Sequence, residues 1–235
     1  MAQVLIKRFC KMKNHIKRPF RVAIEGNVGA GKSTLIKYFE NFNEVELNLE
    51  PIETWRDLNG HNLLQLSYSD PQRWNFAFQH NVQLSRLSIQ SKSTNKAIQI
   101  FERSLQNNRY CFVEMAHDKG LLSSPEFGVI CQWYDFIEKN VDIELDLIVY
   151  LRTSPDIVYK RMQERNRPEE RTIPLEYLED LHNYYEKWLI EKTNYNLSCP
   201  ILVIDVDKDL GDSQRMDMYK AFEDAILGKI PVIQN

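Results

Sequence analysis

Eight consecutive residues, Gly26-Asn27-Val28-Gly29-Ala30-Gly31-Lys32-Ser33, constrain this chain more than any other stretch. They fit the pattern G-x-x-x-x-G-K-S/T, and their surroundings give the pattern a mechanism. Arg21–Glu25 (RVAIE) reads as a buried strand running into the glycines. Gly31 to Asn41 reads as a helix with Leu35, Ile36 and Phe39 on one face. A strand, a glycine turn and a helix N-terminus point successive backbone N–H groups at one anion. Lys32 supplies a cation for the β- and γ-phosphates of a nucleoside triphosphate. Ser33 is a candidate Mg²⁺ ligand, and Thr34 continues the cradle into the helix.

The rest of the chain alternates in the same way. Val45–Leu49 reads as a second strand ending before Glu50-Pro51, and Tyr110–Glu114 (YCFVE) as a third. Leu145–Leu151 reads as a fourth and Ile201–Val206 as a fifth. Residues from about Asn62 to Gln106 carry no strong strand signal and read as helices, with a break at Asp70-Pro71 where Asp70 can cap the next helix. Further helices open at Ser154-Pro155 and Pro174, and a closing helix covers about Arg215 to Leu227. Continuous apolar strands between helices imply an α/β architecture, a five-stranded parallel sheet flanked by helices on both faces. Residues 21–235 read as one domain, with residues 1–20 as a basic extension. Ligands in such sheets bind at the carboxyl ends of the strands, so the search begins at Gly26, Glu50 and Glu114.

Three clusters there suit phosphoryl transfer to a hydroxyl. Glu50, just beyond the second strand, is a candidate proton acceptor. Glu102-Arg103-Ser104 lies among apolar Ile100, Phe101 and Leu105 and reads as a helical segment before the third strand. An inward Arg103 would hold the base and neutralise phosphoryl charge, and Glu102 would help hold Mg²⁺. Arg161, Arg165 and Arg167, broken by Pro168 and followed by Glu169-Glu170, read as an Arg-rich lid that closes over the triphosphate and excludes water.

Taken together, IEGNVGAGKST, the LEP…W segment, ERS with RYCFVE, and R-x-R-P-E-E with IPLEYLE resemble the animal deoxyribonucleoside kinases. That group includes deoxycytidine, deoxyguanosine, mitochondrial thymidine and insect multisubstrate kinases. The resemblance covers about Arg21 to Ile190, and more weakly the C-terminal strand and helix. It implies a P-loop kinase fold with an Arg-rich lid, and transfer of the ATP γ-phosphoryl group to the 5′-hydroxyl of a deoxynucleoside, with Mg²⁺. By position, Glu50 matches the catalytic base, Arg103 its partner, and Ser33 and Glu102 the magnesium-site residues. Tyr68 and Glu170 match the pair that bonds the sugar 3′-hydroxyl. Gln79 matches the residue that reads the base edge, and Trp55, Leu64, Phe78, Val82 and Phe112 match the pocket walls. The resemblance also implies a homodimer, with Trp133 and Phe136 as contributors to that interface or to the core, and feedback inhibition by a deoxynucleoside triphosphate.

Base preference rests on three departures. Ser67 is smaller than the Met of the insect enzyme. Arg86 stands where thymidine-accepting members carry Met. Asn108 replaces the Asp that pairs with Arg86 in the deoxycytidine and deoxyguanosine kinases, and is expected to accept a hydrogen bond from it. These residues predict broad specificity leaning to deoxycytidine and purine deoxynucleosides. A monophosphate kinase such as thymidylate kinase is the nearest alternative, but it would need further cations for the acceptor phosphate. A nucleotide-binding switch is a second, because Asn95-Lys96 begins a guanine-reading motif; Ile98 stands where that motif needs Asp. A scaffold that has lost catalysis is a third.

Composition narrows the partners. A net charge of -3 argues against a dedicated nucleic-acid binder. No CxxC pair is present among Cys10, Cys111, Cys131 and Cys199, which argues against zinc; Cys111 reads as a small buried residue. No apolar run approaches the roughly 20 residues of a membrane span. The expected location is cytoplasmic. A mitochondrial one is the alternative if the basic stretch Met1–Arg21, which has no acid before Glu25, is a transit segment.

Overall fold

A computed structural model describes residues 18–193, 197–208 and 211–232. Most of the basic N-terminal stretch lies outside the described residues. Five parallel strands form one sheet: β1 (Phe20–Glu25), β2 (Val45–Asn48), β3 (Ile98–Glu102), β4 (Leu147–Arg152) and β5 (Ile201–Asp205), in the order β2-β3-β1-β4-β5. This is the α/β P-loop kinase architecture expected.

The central strands are buried on both faces. Val22 and Ile24 of β1, Ile98 and Ile100 of β3, and Leu147, Val149 and Leu151 of β4 join one core. Helix α1 (Lys32–Tyr38) contributes Leu35 and Ile36 to that core, and the C-terminal helix Tyr219 and Ile226. Ala23, Phe101, Ile148 and Tyr150, one step out of phase, join a second core with Cys111, Tyr185 and Trp188. Period-two alternation between two apolar layers explains why these strands read as unbroken apolar runs.

The third strand departs from the sequence reading. YCFVE is not a strand: Asn108–Val113 is a π-helical stretch joining α5 (Leu105–Asn107) to α6 (Glu114–Asp118). A short apolar run does not separate a buried strand from a buried helix. The strand is Ile98–Glu102 (IQIFE), where a polar Gln99 masked the signal. Gln99 is fully buried, yet it donates to Glu46 Oε2 at 2.9 Å and accepts from Arg21 Nε at 3.4 Å. Its amide thus bridges β2 and β1. In consequence Glu102 closes β3 rather than lying on a helix, and Glu114 is not at the sheet edge but pairs with Arg109.

Between β2 and β3 the chain forms α2 (Ile52–Arg56), α3 (Leu63–Ser69) and α4 (Pro71–Gln90). Asp70 caps α4, accepting from Arg73 N, with Pro71 in the first turn. α7 (Ser124–Asn140) precedes β4, and α8 (Pro155–Arg165), a 3₁₀ turn (Pro168–Glu170) and α9 (Leu175–Tyr185) follow it. α10 (Asp212–Ile226) closes the fold. No helix among the described residues is long and apolar enough to cross a membrane.

Candidate active site

The loop after β1 is built on glycines that no other residue replaces without cost. Gly26 has φ +143° and Gly29 φ +82°. A Cβ on Gly26 would stand 2.8 Å from the Leu151 carbonyl oxygen, and one on Gly29 2.8 Å from that of Val158. Gly31, with φ +91°, caps α1. Asn27 is buried and tethers the loop to α9 by donating to Leu178 O at 2.8 Å. Ala30 packs into the core and Thr34 faces outward on α1.

Lys32 lies over this loop, its Nζ 2.8 Å from Asn27 O and 3.1 Å from Gly26 O. Burial, reinforced by Arg103, lowers its ammonium to about 7. Ser33 Oγ donates to Glu102 Oε1 at 2.7 Å, which joins the first turn of α1 to the end of β3. Two hard oxygen donors beside the phosphate loop suit Mg²⁺, which takes few protein ligands.

Glu50 follows β2, and its side chain is 7% exposed. Arg103 NH1 donates to both of its oxygens at 2.9 Å, and Arg86 NH2 to Oε1 at 2.6 Å. Burial alone would raise the Glu50 carboxyl. Arg103, Arg86 and Lys32 outweigh it and hold the group down at about 2, so it is ionised at every working pH. Arg103 adopts φ +60°, a left-handed conformation uncommon outside glycine, in the turn that aims its guanidinium back under the sheet edge. Burial opposes its charge, but Glu50 and Tyr185 stabilise it and raise the guanidinium well above its ordinary value.

Between Glu50 and the loop lies a cavity of about 300 Å³. Trp55, Leu64, Ser67, Tyr68, Phe78, Gln79, Val82, Arg86, Phe112 and Glu170 line it together with Val28, Gly29, Lys32, Ser33, Glu102, Arg103, Arg165 and Arg167. The Trp55 and Phe78 rings meet edge to face at 5.8 Å, and the Arg103 guanidinium lies 5.2 Å from the Phe112 ring. Arg165 donates to both oxygens of Glu170, at 2.8 and 2.7 Å, and Arg167 to one at 3.4 Å. Tyr68 is driven well above its ordinary range, by burial first and then by Tyr177 and Glu170.

Two expected positions fall elsewhere. Arg161 does not line the cavity; it donates to Val206 O at 2.9 Å, because its place on α8 faces the end of β5. Asn108 does not accept from Arg86. Its amide donates to Gln79 Oε1 at 2.7 Å, while Arg86 NH1 donates to Asn107 Oδ1 at 3.0 Å and Ser104 O at 3.1 Å. Asn107, at the end of α5 just before the π-helical stretch, meets the arginine instead. Arg86 is also not without a carboxylate, because Glu50 supplies one.

The sequence reading gave no role of its own to Arg56, Glu169 or Tyr177, all on the cavity wall. Arg56 Nε and NH2 grip the Glu169 carboxylate at 2.8 and 3.1 Å, joining α2 to the 3₁₀ turn. The available signal was weak: Arg56 adjoins Trp55, Glu169 adjoins Glu170, and Tyr177 lies within IPLEYLE.

A deoxynucleoside kinase family profile matches residues 22–226. Human mitochondrial thymidine kinase 2 is 38% identical over 206 residues, 88% of this chain and 77% of that protein. Chicken (Gallus gallus) deoxycytidine kinase 2 is 37% identical over 233 residues, covering 86% of this chain and 88% of its own. Human deoxycytidine kinase is 34% identical over 233 residues, 86% of this chain and 90% of its own.

Proposed function

Because the chain belongs to the deoxynucleoside kinase family, we propose that it moves the γ-phosphoryl group of ATP onto the 5′-hydroxyl of deoxynucleosides at the cavity between Glu50 and Lys32. As a member it is an ATP-dependent phosphotransferase. One observation carries the reading: an ionised carboxylate and a phosphate cradle face one cavity at the same sheet edge.

The triphosphate lies against the backbone N–H groups of residues 26–31, with Lys32 on its outer phosphates. Ser33 and Glu102 would hold Mg²⁺, which would supply positive charge to offset that of the triphosphate. Glu50 orients the 5′-hydroxyl and takes its proton. A carboxylate held so low is a weak base, but phosphoryl transfer through a loose transition state asks little of one. Arg103 keeps Glu50 ionised and meets the charge growing on the transferring group. Arg165 and Arg167 belong to the lid, and Tyr68 with Glu170 holds the sugar.

Both buried guanidiniums at the acceptor side are engaged with Glu50, which favours an uncharged hydroxyl over an acceptor phosphate. The test is ADP formation with nucleoside and nucleotide acceptors side by side. Transfer to monophosphates alone would overturn the reading. Within the nucleosides, Ser67 and Arg86 favour deoxycytidine and the purine deoxynucleosides, and thymidine as the best of four by kcat/KM would refute that preference.

Val129, Trp133 and Phe136 are exposed along one face of α7, and Leu84 is 63% exposed on α4, which packs against α7. This excludes Trp133 and Phe136 from the core. The apolar stripe suits a homodimer interface. Trp133→Glu should then convert a dimer to a monomer in sedimentation. A deoxynucleoside triphosphate inhibitor would place its sugar and base in the acceptor cavity and its phosphates on the loop; competition with both substrates is the sign. The cytoplasmic location, or a mitochondrial one, is tested by imaging the tagged full chain with and without residues 1–20.

A further inference from the structure

Arg86 and Arg103 grip Glu50, but a separate set of residues grips the arginines. Arg103 Nε donates to the Tyr185 hydroxyl at 3.2 Å and its NH2 to Gly26 O at 3.3 Å. Arg86 NH1 rests on Ser104 O and Asn107 Oδ1. Asn107 Nδ2 also donates to Tyr185. Ser104 is therefore a pivot: it follows Arg103 in sequence, and its carbonyl receives Arg86.

One fully buried side chain sets that pivot. Glu25, the last residue of β1, takes no part in the chemistry above. Its Oε1 accepts from Ser104 N at 2.8 Å and from Ser104 Oγ at 2.7 Å. Arg103 N still follows the strand ladder, donating to Ile24 O at 3.1 Å. The ladder then ends, because the left-handed turn at Arg103 swings the next N–H away from the backbone and onto the Glu25 carboxylate. Ser104 Oγ also accepts from Asn107 N and so caps the helix that carries Asn107. Without Glu25, a buried N–H would lose its partner at the position where the backbone is strained.

We propose that Glu25 is a positioning residue: through its two hydrogen bonds to Ser104 it holds the left-handed turn at Arg103, and so keeps the Arg86–Arg103 pair aimed at Glu50. The inference deepens the reading of Glu50 as proton acceptor and rests on it.

The test compares Glu25→Ala, Glu25→Gln and Ser104→Ala in the full chain. Steady-state kcat, nucleoside Kd by titration calorimetry and thermal melting are measured for each. Glu25→Ala should lower kcat at least tenfold while nucleoside Kd moves less than threefold. Glu25→Gln, whose amide oxygen still accepts from Ser104, should recover kcat to within about threefold of the parent. Ser104→Ala keeps the backbone bond and should fall between them. Two results would overturn the proposal: Glu25→Ala with kcat within twofold of the parent, or equal loss in the Ala and Gln variants. Should Glu25→Ala not fold, Glu25→Gln and Ser104→Ala still decide it, since a Gln variant as impaired as a Glu50→Gln control contradicts positioning by hydrogen bonds. That control separates the two readings: Glu50→Gln with unchanged kcat sinks the role of Glu50 whatever Glu25 does.

Discussion

Arg103 donates from a single nitrogen to both carboxylate oxygens of Glu50, each at 2.9 Å. The residue that neutralises the Glu50 carboxylate thus has a strained backbone of its own, at φ +60°. Strain at such a place persists only where the surroundings over-determine it, and here two strands, α5 and Tyr185 do so.

Replacing Glu50 by Gln keeps the shape of the site and removes the carboxylate proposed to accept the proton. General-base contributions are typically 10²–10⁴-fold, and the weak basicity of Glu50 points to the lower end. A kcat loss of about 10²-fold, with nucleoside Kd nearly unchanged, is expected from stopped-time product assays. An unchanged kcat would remove Glu50 from its role.

Glu50 also makes stability depend on pH. Its folded value lies near 2, below the ordinary 4.5. A depressed carboxylate stabilises the fold above its unfolded value, and that contribution is lost as pH falls from about 4.5 toward 2. The contribution at neutral pH is of the order of 3 kcal/mol. In urea titrations, the gap in unfolding free energy between the parent and Glu50→Gln should be wide at pH 7 and narrow toward pH 3. A constant gap would show that the arginines do not depress Glu50.

Gly29→Ala and Gly31→Ala differ in a way that stability can read. Both sites have positive φ, which costs an Ala about 1–2 kcal/mol. Only at Gly29 would the added methyl also meet a backbone oxygen, at 2.8 Å, whereas at Gly31 nothing lies within 4 Å. Gly29→Ala should therefore lower Tm by several degrees more than Gly31→Ala. Equal losses would mean that the loop yields freely against α8.

The Arg56–Glu169 pair ties α2 to the turn after Arg165 and Arg167. Glu169 is 9% exposed at its side chain and Arg56 29%, so solvent screens the pair only in part. Arg56→Ala should raise KM for the nucleoside several-fold and increase amide exchange in residues 165–172, at a stability cost of about 1–2 kcal/mol. Exchange unchanged in that segment would show that the pair does not restrain it.

Which parts of the site were readable follows from how local each signal is. The phosphate loop is read from neighbouring residues because its glycines, lysine and serine act on one anion within eight positions. Glu50 was readable because it follows a strand directly. Strand β3 was not, since Gln99 breaks the apolar run and its two partners, Glu46 and Arg21, are far away in sequence. YCFVE misled because its burial comes from packing against the sheet, and burial alone does not select strand over helix.

The cavity walls were legible through the family resemblance; the sequence by itself determined the class of fold and the phosphate cradle. Each of these depends on residue type and short-range order. The tertiary structure alone decided that Asn107 rather than Asn108 meets Arg86, that Arg56 reaches Glu169, and that Glu25 holds Ser104. Those pairings are set by one residue's rotation in a helix, or by the register of strands β1 and β3, and both are settled only when the whole core packs at once.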